Sequence, residues 1–106
     1  MEAFQVNACL KNGRFEPLSK GFNAAEQYLA EHQLVPAEQQ MLLIGRALTD
    51  LSADDVLYTP DSHTIQIHWF HLYGKQLDAV GACHLCVMAC SVTDEPFSDG
   101  EILFLR

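Results

Sequence analysis

The sequence predicts a single α+β domain, mostly an antiparallel sheet with one or two helices packed on one face. Three observations predict it. Residues 3–17 alternate apolar and polar side chains around a turn, residues 23–34 repeat apolar side chains at helical spacing, and residues 64–73 alternate again over an unusual length. The chain has 106 residues and no internal repeat, which is the size of one domain. We therefore expect residues 1–106 to fold as one unit.

The first predicted element is a β-hairpin. Phe4, Val6 and Ala8 alternate with polar neighbours, a pattern typical of a strand with one buried face. The sequence Lys-Asn-Gly at 11–13 supplies the turn, and the return strand ends at Pro17. Two antiparallel strands are therefore expected at the start of the chain.

The second predicted element is a helix over residues 23–34. Asn23, followed three residues later by Glu26, has the pattern of a capping box, in which the two side chains bond to free N–H groups of the first turn. Apolar and aromatic side chains then recur at helical spacing, namely Ala25, Tyr28, Leu29 and His32. The pattern predicts an amphipathic helix.

The segment 36–48 is compatible with a helix or with a strand. Pro36 fits the first position of a helix, whereas the Leu-Leu-Ile run at 42–44 suits a buried strand, and periodicity does not decide between them. Ser-Ala-Asp-Asp at 52–55 can cap a helical turn. Thr-Pro-Asp-Ser at 59–62 predicts a turn.

The second half of the chain is predicted to be rich in strands. The alternation over 64–73 is apolar on both faces toward its end, and a turn is expected at 73–76. Residues 79–92 can form a helical stripe or the return strand of a long hairpin, and we favour the strand. A loop at 95–100 and a closing strand at 102–105 complete the predicted domain.

The charge of the chain is strongly one-sided. Fourteen acidic residues face six basic ones, which gives a formal charge of −8 at pH 7. Residues 47–74 and 76–105 contain no Lys or Arg. Such a surface repels the phosphates of nucleic acids and of anionic membranes, so neither is expected as a direct partner. A basic protein surface would be attracted.

Histidine and cysteine side chains concentrate in the segment 68–90, where a zinc site is one hypothesis. The pairs His68/His71 and Cys83/Cys86 offer four ligands of the right kinds. Residues three apart on a regular strand point to opposite faces, which opposes both pairs unless a bulge intervenes, whereas residues at even separations share a face. With the neighbouring Cys83, the candidate zinc ligands are therefore His84, Cys86 and Cys90.

The same cysteines support other interpretations. A dithiol redox centre would use Cys83 and Cys86. Their apolar neighbours, however, should raise the pKa of both thiols and so disfavour the reactive thiolate form. An iron–sulfur cluster would need a fourth thiolate from Cys9, far away in sequence. The competing interpretation is that all four cysteines pack as small apolar side chains.

Catalysis would need a base and a group that orients it. His68 or His71 with Asp61 or Asp78 would supply them. The sequence contains no nucleophile elbow, no phosphate-binding loop and no HExxH metalloprotease motif. We therefore expect a protein without enzymatic activity.

The function that the sequence predicts is recognition of a basic protein, as an inhibitor or an adaptor would do. One candidate contact segment contains Asp94, Glu95, Phe97, Asp99 and Glu101, with the Phe as an apolar anchor. A second contains Asp54 and Asp55. The opening residues lack a basic-then-apolar secretory pattern, and the cysteines are not spaced as a disulfide scaffold, so the cytoplasm is the expected compartment. An unpaired edge strand would allow two copies to form a dimer.

Overall fold

The structure is a computed structural model that describes residues 1–93 and 96–106. Its helical elements are a 3₁₀ turn, Phe22–Ala24, and helix α1, Ala25–Glu31. Its strands are β1 (Glu2–Lys11), β2 (Arg14–Pro17), β3 (Gln40–Ala47), β4 (Leu51–Ser52), β5 (Val56–Tyr58), β6 (Thr64–Leu72), β7 (Lys75–Leu77), β8 (Ala79–Val80), β9 (Leu85–Ser91) and β10 (Ile102–Phe104).

Six of these described strands pair in a closed ring. The order of neighbours is β10, β5, β6, β9, β3 and β1, and β1 pairs in turn with β10. All of these pairings are antiparallel. β2 extends the sheet beside β1, β7 pairs with β6, and β4 and β8 form a separate two-stranded sheet. The edge strand β2 carries Arg14, Glu16 and Pro17, residue types that oppose pairing with a second copy.

The side chains of the ring divide into two apolar clusters. The interior cluster contains buried side chains from all six ring strands, so it fills the space that the strands enclose. The outer cluster lies on the other face of β1, β3 and β9 and includes Leu29 of α1. Along β9, Cys86 and Met88 belong to the interior cluster, and Val87 and Ala89 belong to the outer one. Burial on both faces explains why this segment is a continuous apolar run.

The structure confirms the strand-rich fold class, since the described chain is mostly antiparallel sheet with one short helix. The first hairpin forms as predicted, and Asn12 and Gly13 at its turn have φ values of 54° and 73°. Positive φ at two successive turn residues is what a tight hairpin turn requires. The long strand β6, the turn at 59–62 and the closing strand β10 are also confirmed.

The helix is shorter than predicted, and its predicted cap is wrong. Asn23 lies inside the 3₁₀ turn, and neither helical element has a side-chain cap hydrogen bond. Gln33 has a left-handed φ of 54°, and the Leu34 N–H donates to the carbonyl of Leu29 at 2.9 Å. This αL geometry ends the helix, which spans seven residues.

Tertiary pairing decides the ambiguous segments. Within 36–48 the structure forms β3, a strand buried on both faces. The strand favoured for 79–92 is correct for β9, but the segment is interrupted by a turn in which Cys83 has a φ of 74°. Residues 52–55 form a turn after β4 rather than a helical turn, closed by a bond from the Asp55 N–H to the Ser52 carbonyl at 3.0 Å.

Candidate functional site

An apolar pocket of about 290 Å³ opens between α1 and the outer face of the ring. Its floor includes one row of residues across three strands. Ile44 of β3 lies opposite Val87 of β9, which in turn lies opposite His71 of β6. We call this space the helix pocket.

The walls of the helix pocket come from both the helix and the strand ends. Phe22, Ala25 and Tyr28 line it on the helical side. Tyr73 and Leu85 line it on the other side, and they are 79% and 43% exposed. Large apolar side chains that stay exposed at the mouth of a pocket are characteristic of a binding surface.

The helix pocket exists because α1 is too short to cover its face of the sheet. At 1.5 Å per residue a seven-residue helix is about 10 Å long, while the eight residues of β3 extend for about 26 Å. Leu29 of α1 packs in the cluster that contains Leu42 and Ala89, which are paired across β3 and β9. The row through Ile44 and Val87 lies two residues further along each strand, at the floor of the pocket.

His71 is the polar side chain on the pocket floor. It is 7% exposed, and its Nδ1 lies 2.8 Å from the hydroxyl oxygen of Tyr28. The Gly74 N–H donates to the same hydroxyl at 3.3 Å. The Tyr28 oxygen accepts from Gly74 and has a second lone pair, so its hydrogen bond with Nδ1 fits either direction. Where the Tyr28 hydroxyl donates to Nδ1, the neutral imidazole carries its own proton on Nε2.

The surroundings of His71 favour its neutral form. Burial lowers the pKa of His71 below its usual value of 6.5, and the nearby His32 lowers it further. The His32 ring centroid lies 5.1 Å from that of His71 and 4.3 Å from that of Tyr28. At neutral pH the pocket floor therefore presents an uncharged imidazole.

The side-chain hydrogen-bond partner of His71 among the described residues is the Tyr28 hydroxyl, at Nδ1. In the described chain no fully buried side-chain nitrogen or oxygen lacks a partner. The Nε2 atom is therefore not sealed inside the protein. The open space that His71 lines is the helix pocket.

A second candidate surface lies at one end of the ring, where β4 pairs with β8. Leu51 and Val80 of these strands join the interior cluster. The Ala53 N–H donates to the carbonyl of Asp78 at 2.8 Å, which ties the two segments together. Four carboxylates flank this small sheet and form what we call the acidic end: Asp50, Asp54, Asp55 and Asp78.

Two carboxylates of the acidic end accept hydrogen bonds from nearby backbone N–H groups. The Ala82 N–H donates to Oδ1 of Asp50 at 3.0 Å, and the Ser52 N–H donates to Oδ2 of Asp55 at 2.8 Å. Asp54 is exposed and has no such bond. The acidic end therefore combines two carboxylates held by backbone N–H groups with those of Asp54 and Asp78, which are exposed and have no such bond.

The acidic segment predicted at 94–101 is described only in part. Asp94 and Glu95 lie outside the described residues. Phe97 is half-buried and packs against the interior cluster. Its aromatic surface is therefore used largely by the fold, which leaves less of it for a partner than the predicted anchor requires.

The other two residues of that segment bond within their own surroundings. Asp99 accepts a hydrogen bond from the Ser19 hydroxyl. The Ser98 N–H donates to Oε1 of Glu101 at 3.3 Å. Of the acidic residues predicted as contacts, the structure thus places Asp54 and Asp55 in a larger carboxylate group that the sequence analysis did not assemble.

The structure does not bring the predicted zinc ligands together. Among residues 1–93 and 96–106, no group of three or more His, Cys, Asp or Glu is arranged to hold a metal ion. Cys86 and Cys90 share a strand face as expected, but that face is the interior of the ring. Cys83 and His84 are exposed and precede the strand, so the even-spacing argument does not extend to His84.

The thiol chemistry expected of these cysteines is restricted by burial. All four are free, and Cys83 is the exposed one. Burial raises the pKa of Cys86 to about 12 and that of Cys9 to about 11, and it raises the pKa of Cys90 as well. Cys83 and Cys86 therefore differ in accessibility, and the buried member holds its proton at neutral pH.

The two histidines proposed as catalytic bases lie on β6, where a β-bulge between Ile67 and Trp69 shifts the register, so that Ile67 and Phe70, three residues apart, both belong to the interior cluster. His68 is exposed, whereas His71 is buried at the pocket floor. The partner of the buried imidazole is the Tyr28 hydroxyl rather than the carboxylate of Asp61 or Asp78. The predicted histidine–aspartate pair is therefore not the arrangement that the structure contains at His71.

Sequence reasoning placed Tyr28 on the apolar stripe of the helix and missed its bond to His71. The two residues are 43 positions apart, and the contact depends on how α1 is placed against β6. The one available signal was a histidine within a strand that is apolar on both faces. Such a position predicts a buried imidazole that needs a hydrogen-bond partner.

Comparison with known proteins adds no assignment to this geometry. No family model matches the chain, no curated protein matches it, and no solved structure matches it. Within the described residues, no helix has the length and apolar character needed to cross a membrane.

Proposed function

We propose that this protein binds a basic protein partner through the acidic end and catalyses no reaction. The observation that supports the proposal is the pairing of β4 with β8, which places the backbone of Asp78 beside that of Ala53, the neighbour of Asp54, although the two segments are far apart in the chain. The basic residues next to these segments are Arg46, which donates to the carbonyl of Cys83 at 2.7 Å, and Lys75. Exposed carboxylates such as those of Asp54 and Asp78 attract Lys and Arg side chains of a partner.

An exposed aromatic side chain adjoins the acidic end. The ring of Tyr73 lies 6.2 Å from that of His84 in an edge-on arrangement. Nδ1 of His84 lies 3.2 Å from the carbonyl of Gly81, and the next residue, Ala82, donates its N–H to Asp50. Tyrosine is enriched among residues that dominate binding energy, so Tyr73 is the apolar anchor that we propose in place of Phe97.

The electrostatic character of the proposal has a measurable consequence. Charges at the rim of an interface act mainly on the rate of association and are screened by salt. Binding should therefore weaken as ionic strength rises, chiefly through slower association. The segment with Asp99 and Glu101 is kept in the proposal as a second, smaller contact.

The compartment that we propose is the cytoplasm. The four cysteines are free, which is consistent with a reducing environment. The same proposal holds for the inhibitor and the adaptor forms of the function, because both need the acidic surface to be accessible to a basic protein.

The experiment that tests the proposal is affinity capture from cells that express the protein, followed by binding measurements on each captured protein. The test variant reverses two exposed charges, Asp54→Lys with Asp78→Lys. The matched control reverses two exposed charges elsewhere, Glu26→Lys with Glu38→Lys, and so has the same net charge. A specific basic partner should bind the wild type and the control and should be lost from the test variant.

Three outcomes would contradict the proposal. They are undiminished binding by the test variant, equal loss in both variants, and affinity that does not change with salt. Equal loss would indicate that net charge, rather than the acidic end, attracts the partner. Far-ultraviolet circular dichroism of each variant verifies that the fold is intact.

A further inference from the structure

We propose that the helix pocket is a binding site for a neutral, single-ring aromatic molecule that carries one hydrogen-bond acceptor. The site is separate from the carboxylates of the acidic end, and the inference does not depend on the function proposed for them. It rests on the volume of the pocket, on the character of its walls and on the neutral imidazole at its floor.

The volume of the helix pocket sets the size of the ligand. An apolar cavity of about 150 Å³ in a well-studied engineered protein stays dry and binds benzene. The helix pocket, at about 290 Å³, has roughly twice that volume. It therefore accommodates one aromatic ring with a short substituent.

The walls select an apolar and uncharged ligand. The residues that line the pocket include no Asp, Glu, Lys or Arg. A cation would find no carboxylate inside, and an anion would lose its hydration against apolar walls without a compensating positive charge. The bound molecule is therefore neutral. Binding of an aromatic ring would remove the apolar surface of Tyr73 and Leu85, which are exposed at the mouth of the pocket, from contact with water. This burial favours the aromatic ligand.

The donor on His71 selects a ligand with an acceptor. The side chain is more than nine-tenths buried, and the Tyr28 hydroxyl occupies its Nδ1. In this proposal Nε2 carries the imidazole proton and reaches the open space of the pocket that His71 lines. No buried side-chain nitrogen of the described chain lacks a partner, so this donor is exposed to water in the free protein, and a ligand acceptor would take the place of that water.

The probes that test this inference are acetophenone and α-methylstyrene. The two molecules have nearly the same shape, but acetophenone has a carbonyl oxygen where α-methylstyrene has a methylene group. Binding is followed by amide chemical shifts of ¹⁵N-labelled protein at Ala25, Ile44 and Val87, which line the pocket. Both probes should bind there, and acetophenone should bind about threefold to tenfold more tightly, as expected for one hydrogen bond.

Two substitutions on α1 locate the site. Ala25→Leu fills the pocket with a larger side chain, and binding of both probes should be lost. Ala30→Leu is the matched control, because it makes the same change on the same helix at an exposed position that does not line this pocket. Equal binding by the two variants, or shifts confined to another surface, would overturn the proposal.

The role of His71 is tested in two ways. In His71→Phe the preference for acetophenone over α-methylstyrene should disappear. In the wild-type protein, long-range ¹H–¹⁵N spectra of the imidazole should report the proton on Nε2. A proton on Nδ1, or a preference for acetophenone that survives in the variant, would overturn the assignment of the donor. The tautomer measurement needs no substitution, so it decides the question even if the variant does not fold.

Discussion

The two faces of β9 carry side chains of similar character, yet one face is sealed and the other is open. Met88 and Cys90 point into the ring and are completely buried. Val87, which directly precedes Met88 in sequence, belongs to the outer cluster and lines the helix pocket. Because side chains alternate along the strand, β9 contributes to a fully enclosed core on one face and to a partly covered apolar cluster on the other.

The difference comes from what covers each face. Six strands enclose the interior cluster, and residues from every ring strand meet there. The outer cluster depends on a helix of seven residues and a few side chains from the loops around it. A closed ring leaves little accessible apolar surface inside, whereas a short helix leaves a pocket. The comparison indicates that space for a ligand in this fold lies on the outer face of the ring, which the helix covers incompletely.

The largest expected effect is the difference in reactivity between the exposed thiol and the thiols buried inside the ring. We expect Cys83 to react with a thiol reagent at pH 8 far faster than Cys86, Cys90 and Cys9. The pKa of Cys86 is raised from 9.0 to about 12, so its thiolate fraction falls about a thousandfold before access is considered. Mass spectrometry of the labelled protein at intervals measures the order of reaction.

The thiol experiment also tests whether the ring is closed in solution. Rapid labelling of Cys86 or Cys90 in the folded protein would show that the interior is accessible. Labelling after denaturation in urea is the control, since all four thiols should then react.

The second effect concerns the wall of the ring. A Cβ atom at Gly45 would lie 1.9 Å from the carbonyl oxygen of Gln5, which belongs to the paired strand β1. Gly45→Ala should therefore lower the free energy of unfolding by roughly 3 kcal/mol or prevent folding, because backbone must move to relieve the overlap. Urea unfolding measures the change.

The control for this substitution lies outside the ring, at the acidic end. A Cβ atom at Gly81 would lie 3.5 Å from Nδ1 of His84, which is an ordinary van der Waals distance. Gly81→Ala should change the free energy of unfolding by no more than about 0.5 kcal/mol. Similar losses in both variants would show that β1 and β3 do not approach as closely as the structure describes.

The smallest effect is the pH dependence that His71 contributes on the open face. Burial lowers its pKa in the folded protein below 6.5. Well above pH 6.5 the imidazole is neutral in both the folded and the unfolded protein, so it does not change the free energy of unfolding with pH. As the pH falls below 6.5 the unfolded chain takes up a proton that the folded chain does not, so stability decreases until the pH reaches the lowered pKa. The slope for one proton is at most about 1.4 kcal/mol per pH unit.

Urea unfolding of wild type and His71→Gln between pH 7.5 and 5 isolates this contribution. The variant should lose less stability than the wild type as the pH falls. His71 is contacted by Tyr28 of α1 and by His32, the residue that follows α1. Because His32 itself lowers the pKa of His71, the control is His68→Gln, which removes an exposed histidine of the same strand. Identical pH profiles in wild type and His71→Gln would show that the imidazole is not held neutral by its surroundings.

Local patterns predicted the strands well and the site poorly. The alternation in the first hairpin and the Asn-Gly turn at residues 12 and 13 defined β1 and β2, because a hairpin is specified by neighbours in sequence. The segment 36–48 remained ambiguous, because two-sided burial removes the alternation that marks a strand. The even spacing of Cys86 and Cys90 correctly predicted a shared face but not that the face was the interior.

The sequence by itself determined the acidic charge, the strand-rich class and the positions of β1, β2, β6 and β10, because these follow from composition and from the spacing of neighbouring side chains. Only the tertiary structure decided that β1 pairs with β10 to close a ring. It also decided that Tyr28 meets His71 and that the backbone of Asp78 bonds to that of Ala53, beside Asp54. The physical reason is that each of these contacts joins residues far apart in the chain, and strand pairing and helix placement, rather than local conformational preference, bring such residues together.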